Sequence, residues 1–194
     1  MRVCLIGYGY WGKNLARVFG KNLVGICDNS KDNLDKAKEL YDVNYFSSWE
    51  ELYQSDLEYD TVAIATKADT HFDLANKFLV SGKNVWIEKP ACINTKDISQ
   101  LIKIRGNNKV FVDHTFVYHP AIQKIKTIDI GKPLYYDSHR ISLGLFQKDV
   151  DAILDLAIHD LSILDYLYPD LVLDKRNIIK NNHINDKANQ SILN

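Results

Sequence analysis

Five short apolar runs recur in the first 115 residues: "RVCLIG", "LVGICD", "TVAIAT", "NVWIEK" and "KVFVDHT". Each is rich in Val and Ile and apolar on both sides, so a strand built from it must be covered on both faces. Parallel strands joined by crossover helices meet that demand, and the stretches between the runs supply the helices. These are residues 11–19 closed by Gly20, 31–41, 48–54, 70–81 closed by Gly82, and 95–106. Ser48 and Glu51 have the spacing of a capping box. The alternation predicts an α/β fold, a doubly wound parallel sheet of Rossmann type, over residues 1–117.

The pattern changes after Phe116. "HPAIQKIKTIDIG" predicts a helix ending at Gly131, "PLYYDSHRISLG" alternates as a strand does, and "DAILDLAIHDLSILDYLY" is a strongly periodic helix. The polar, Asn- and Lys-rich remainder ends in "SILN", which has the look of a strand just begun. One strand and two helices do not make a self-contained domain. Residues 118–194 therefore read as the first part of an incomplete α+β second domain.

Composition narrows the partners. The 194 residues are 46% hydrophobic and 25% charged, with net charge −1, as a globular protein requires. That charge gives no electrostatic reason to expect nucleic acid or an anionic membrane. No apolar run approaches the ~20 residues of a bilayer span, and no signal peptide precedes the first strand. Cys4, Cys27 and Cys92 are odd in number and widely spaced, and they read as free buried thiols of a reducing compartment, hence a cytoplasmic protein. No spacing suggests a metal site, a serine or cysteine nucleophile, or a Walker loop.

"CLIGYGYWGKN" places Gly7, Gly9 and Gly12 between a strand and a helix. In that context the first glycine permits the tight turn, the second lets backbone approach a pyrophosphate, and the third lets helix and strand pack closely. The helix N-terminus then offers N–H groups and a positive dipole end to the phosphates. Asp28 ends the next apolar run, where a carboxylate binds a ribose 2′-hydroxyl and repels a 2′-phosphate, so NAD(H) is favoured over NADP(H). The alternative is an ordinary glycine turn beside a solvated Asp. Tyr8, Tyr10 and Trp11 are expected at the loop surface, either closing over the cofactor or packing against the sheet.

Three further constellations carry chemistry. "IATKADTHFDLA" is a strand end turning into a helix capped near Asp69 or Thr70, and its position makes Thr66 and His71 cofactor neighbours; the alternative for His71 is a solvated first-turn histidine. "WIEKP" puts Glu88, Lys89 and Pro90 at the end of the next strand, where the chain must turn. There Glu88 and Lys89 are candidate cofactor contacts, and the Lys89 ammonium can also stabilise a substrate alkoxide; the alternative is a surface Lys-Pro turn. In "DLAIHD", Asp155 and His159 are four apart and share a helix face, while Leu154, Ile158, Leu161 and Leu164 supply an apolar stripe. A carboxylate one turn from an imidazole makes it a stronger general base, though the same spacing also suits a solvated helix pair.

Taken in order, "GYGYWG", "IATKADTH", "GKNVWIEKP" and "DLAIHDLSIL" resemble the glucose–fructose oxidoreductase and inositol dehydrogenase family (Gfo/Idh/MocA) from Arg2 to about Tyr168. "HTFVYHPAIQKIK" and "RISLGLFQKDV" look most like its polysaccharide-pathway branch, whose members act on nucleotide-linked sugars, including 3-dehydrogenases of UDP-N-acetylglucosamine type. The resemblance implies NAD as cofactor and a catalytic set of Lys89, Asp155 and His159. His159 would take the hydroxyl proton, Asp155 would orient it, and Lys89 would hydrogen-bond the same oxygen. His119 and Arg140 are substrate-contact candidates, Arg140 through a carboxylate or phosphate, or else a surface arginine. The resemblance also implies homo-oligomers and a large antiparallel sheet that should begin where this chain stops. A dehydrogenase of free polyols such as inositol and a non-catalytic dinucleotide-binding protein are the rival readings.

Overall fold

The computed structural model describes residues 1–140, 150 and 153–171, and the backbone of 178–181 and 190–193. The chain divides into two compact units, Met1–Asp113 and His114–Asn194.

In the first unit, β1 (Val3–Ile6) sends Val3 and Leu5 to one face and Cys4 and Ile6 to the other, and all four are buried. Strands β2 (Leu23–Cys27), β4 (Thr61–Ile64), β5 (Asn84–Ile87) and β6 (Val110–Val112) are the other expected runs. One face is covered by α1 (Gly12–Phe19) through Leu15, Ala16 and Phe19, and by α2 (Lys31–Lys38) through Leu34 and Ala37. The opposite face takes α3 (Trp49–Gln54), α4 (His71–Val80) and α5 (Thr95–Ile104) through Leu52, Leu74, Phe78, Leu79 and Leu101. Each of these buried Leu and Phe side chains contributes roughly 1.5–3 kcal/mol over exposure, so the two-sided core holds the sheet together.

The six strands are parallel in the order β3-β2-β1-β4-β5-β6, the doubly wound arrangement. The sixth, β3 (Asn44–Phe46), was not expected. It is a three-residue, half-polar edge strand whose pairing with β2 comes from tertiary context. α2 stops at Lys38, short of Tyr41; the Leu40 amide tightens the end by returning to the Ala37 carbonyl three residues back, which the Tyr41 amide shares, both at 3.0 Å. Ser48 caps α3 as expected (3.2 Å from its Oγ to the Glu51 amide), but the Glu51 carboxylate closes on the amide and hydroxyl of Ser47. The three cysteines are free and buried.

In the second unit, α6 (Pro120–Lys126) ends well before Gly131. The amides of Thr127 and Ile128 turn back to Lys124 and Ile125 at 3.0 Å, and the Thr127 hydroxyl donates to the Lys124 carbonyl (2.7 Å), which tightens the last turn. The strand expected from residue 133 is absent over 133–140, and the rest of that run lies outside the described residues. Among the described residues no strand is paired to this segment, and Leu134 is fully exposed. Alternation in sequence makes no ladder without a neighbour. The periodic helix is α7 (Ile158–Leu167), preceded by a π-helical turn, Ile153–Ala157, where a regular α-helix was expected. The "SILN" strand is β8 (Gln190–Leu193), antiparallel to β7 (Ile178–Asn181). Among the described residues, no helix is long and apolar enough to cross a membrane.

Candidate dinucleotide-binding site

The sheet opens where strand order reverses. At the end of β1, the Gly7 amide donates to the Cys27 carbonyl of β2, and the Ala65 amide after β4 donates to the Ile6 carbonyl, both at 2.8 Å. The loops that follow β1 and β4 lead to helices on opposite faces, which leaves a crevice at their carboxyl ends. Gly7 has φ +94°, and a Cβ there would lie 2.5 Å from the Ala65 carbonyl oxygen. A Cβ on Gly12 would lie 1.9 Å from the Gly7 carbonyl oxygen. Helix α1 thus rests directly on the turn, and both positions admit only glycine. A Cβ on Gly9 would meet nothing within 4 Å, so the loop is open at its middle glycine. No side chain caps α1 and no acid lies in its first turn, so its positive end is available to an anion.

Asp28 is 8% exposed, which excludes the solvated alternative. Its carboxylate accepts from the Tyr8 amide (2.6 Å), the Ser30 amide (2.8 Å) and the Asn33 side-chain amide (3.2 Å), tying the glycine loop to the turn before α2. Tyr8 itself is not at the loop surface as expected. It is 1% exposed, edge-on to Tyr41 at 6.1 Å, and burial pushes its phenol up to about 12. Its backbone amide, rather than its ring, serves the site. Tyr10 and Trp11 are at the surface, 79% and 37% exposed.

His71 is 1% exposed, which excludes the solvated first-turn alternative. Its Nδ1 lies 2.9 Å from the Pro90 carbonyl oxygen and its Nε2 3.2 Å from that of Thr66, so one ring bridges the ends of β4 and β5. Neither Asp69 nor Thr70 caps α4. The Thr70 hydroxyl is turned back, sharing a hydrogen bond with the Thr66 hydroxyl (2.7 Å) and donating to the Lys67 carbonyl (2.8 Å). Lys89 is half-buried and joined to Pro90 by a cis peptide. Beside it, the Glu88 carboxyl is buried and pushed up to about 9, chiefly by burial and then by its hydrogen bond to Asp113 at the end of β6.

In the second unit, the half-buried His159 ring stands edge-on to Phe116 at 4.8 Å, and Asp155 lies in the π-helical turn. The Arg140 guanidinium stacks over Phe116 at 4.6 Å and grips Asp160 bidentately (2.9 and 2.8 Å). It therefore already holds a carboxylate within this chain. His119 caps α6, its Nδ1 accepting the Ala121 amide at 3.2 Å. Sequence reading missed Asn33, Asp113 and the Tyr8 amide. Asp113 carried a signal, an acid ending the strand beside "WIEKP"; Asn33 and the Tyr8 amide carried none.

A parallel sheet of this order, a cradle that a Cβ would fill, and a buried carboxylate at the end of β2 define a dinucleotide-binding protein. The chain belongs to the Gfo/Idh/MocA oxidoreductase family with NAD-binding Rossmann fold, whose family model matches residues 1–116. It is 29% identical over 168 residues to a UDP-N-acetylglucosamine 3-dehydrogenase of Acidithiobacillus ferrooxidans, covering 84% of this chain and 53% of that protein. A solved structure of such an enzyme from the same organism superposes with TM-score 0.84 at 30% identity, covering 97% of this chain and 60% of the other. The scyllo-inositol 2-dehydrogenase (NAD(+)) of Bacillus subtilis is 30% identical, over 86% of this chain and 54% of its own length. The chain thus spans about half the length of the curated relatives it matches.

Proposed function

We propose that the protein is an NAD(H)-dependent oxidoreductase acting on a ring hydroxyl or ketone of a sugar, and that the sugar is nucleotide-linked, of the UDP-N-acetylglucosamine kind. The observation that carries the reading is the stacked glycine cradle with Asp28 beside it; likeness to a UDP-N-acetylglucosamine 3-dehydrogenase supports the substrate class. Bound NAD supplies the hydride acceptor or donor. Gly7, Gly9 and Gly12 admit the pyrophosphate, and Asp28 receives the adenosine ribose. Tyr10, Trp11, Thr66, His71 and Glu88 border the cofactor. Lys89 donates a hydrogen bond to the substrate oxygen. His159 takes the hydroxyl proton in the oxidative direction, oriented by Asp155. Residues 118–194 contribute to a substrate and oligomerisation domain of a cytoplasmic homo-oligomer.

Comparable identity to an inositol dehydrogenase favours a second reading, a free polyol as substrate. Calorimetric titration with NAD⁺, NADH and NADP⁺, followed by turnover with UDP-N-acetylglucosamine and with scyllo-inositol in the whole protein, separates them. We expect NADH formation with the nucleotide sugar, lowered ~10²-fold or more by His159→Ala or Lys89→Ala. Turnover with inositol alone would transfer the assignment to polyols, and tighter NADP⁺ binding would overturn the cofactor.

A further inference from the structure

The acceptor geometry of Asp28 leaves the adenosine ribose short of one partner. Its Oδ2 accepts two hydrogen bonds, from the Tyr8 amide (2.6 Å) and from Asn33 Nδ2 (3.2 Å). Its Oδ1 accepts one, from the Ser30 amide (2.8 Å). Each carboxylate oxygen has two lone-pair directions, so Oδ2 is filled by the protein itself and Oδ1 keeps one. A ribose diol brings two adjacent hydroxyls, and one acceptor direction serves one of them. The half-buried Asn33 lies in the first turn of α2, fixed against the carboxylate. With one N–H given to Asp28, its amide retains a second N–H and a carbonyl oxygen.

We infer that Asn33 is the second ligand of the adenosine ribose, and thereby a residue that determines which dinucleotide the protein prefers. The inference rests on NAD binding at the glycine loop. Asn33 does two things there: it holds Asp28 in the rotamer that leaves Oδ1 open, and it meets the hydroxyl that Asp28 cannot. A 2′-phosphate, which needs several donors and positive charge, would face the Asp28 carboxylate and a neutral amide with a single N–H left to give. Asn33 is also a cleaner probe than Asp28, whose removal strips acceptors from two backbone amides.

The test is a comparison of affinities in the whole chain by fluorescence or calorimetric titration. Asn33→Leu, close to asparagine in outline, should weaken NADH about tenfold and leave NADPH unchanged, so the gap between them narrows. ADP should weaken likewise, whereas 2′,3′-dideoxy-ADP, which has no hydroxyl to offer, should bind the variant and the parent equally. If the parent chain does not bind NADH, the underlying cofactor reading fails. If the parent binds NADH and the variant matches it, Asn33 is no ligand. Equal weakening of ADP and dideoxy-ADP would show a loosened turn in place of a lost ribose contact, and would also overturn the inference. Asn33→Ala gives the same comparison if Leu disturbs α2 by circular dichroism.

Discussion

At the scale of single residues, the three glycines of the loop differ in what they forbid. Gly12→Ala drives a Cβ into the Gly7 carbonyl, 1.9 Å away, and neither backbone segment can yield. It should cost about 3 kcal/mol or more, at the upper end of overpacking, read as a lowered denaturation midpoint. Gly9→Val, with open space around it, should fold with near-parental stability yet lose NADH binding. Parental affinity in that variant would reduce the loop to a turn. Glu88 gives a test in pH. Its folded-state value of about 9 stands above the ordinary 4.5, so between those limits the native state holds a proton that the unfolded chain has released. Stability should therefore fall as pH rises through that window and level off above it. Glu88→Gln should flatten the slope in urea midpoints taken from about pH 5 to 9. Parallel slopes in the two proteins would assign the dependence to other groups.

At the scale of elements, burial separates the two units. Helix α4 buries His71, Leu74, Ala75, Phe78 and Leu79, whereas α6 and α7 have no fully buried residue, and Leu161 of the expected apolar stripe is exposed. Amides of α7 should exchange with deuterium at least ~10²-fold faster than those of α4, since local opening is cheap where little apolar surface is lost. Equal protection in a monodisperse monomer would contradict this. The same contrast explains what the sequence could tell. Five strands were legible because a run apolar on both faces has few other destinations, and Ser48 because a cap is local chemistry. β3 was not, because three half-polar residues acquire strand geometry only from β2. The run from Pro133 misled for the converse reason, a periodic pattern with no strand alongside it among the described residues. In the site, Gly7, Gly12 and Asp28 were readable from spacing. The Tyr8 amide reaches Asp28, and Asp113 reaches Glu88, only once segments distant in sequence have been folded against one another, and the role of Asn33 depends on that same turn.

At the scale of the molecule, both layers of the core lie within Met1–Asp113, as do the glycine loop and Asp28. A chain of residues 1–113 should fold cooperatively and bind NADH, with its melting temperature rising as ligand is added. An aggregated or molten fragment would show that the second unit is needed for the fold. The glycine turn also decides where nucleotide preference is open to change. Gly12 lies against the carbonyl of Gly7, and Gly7 against that of Ala65, so helix, turn and neighbouring strand touch backbone to backbone with no side chain between them. Contacts of that kind contain nothing for substitution to vary. Divergence or redesign toward another dinucleotide is thereby steered away from the phosphates and into the short turn after β2, where the partners proposed for the ribose, Asp28 and Asn33, are side chains.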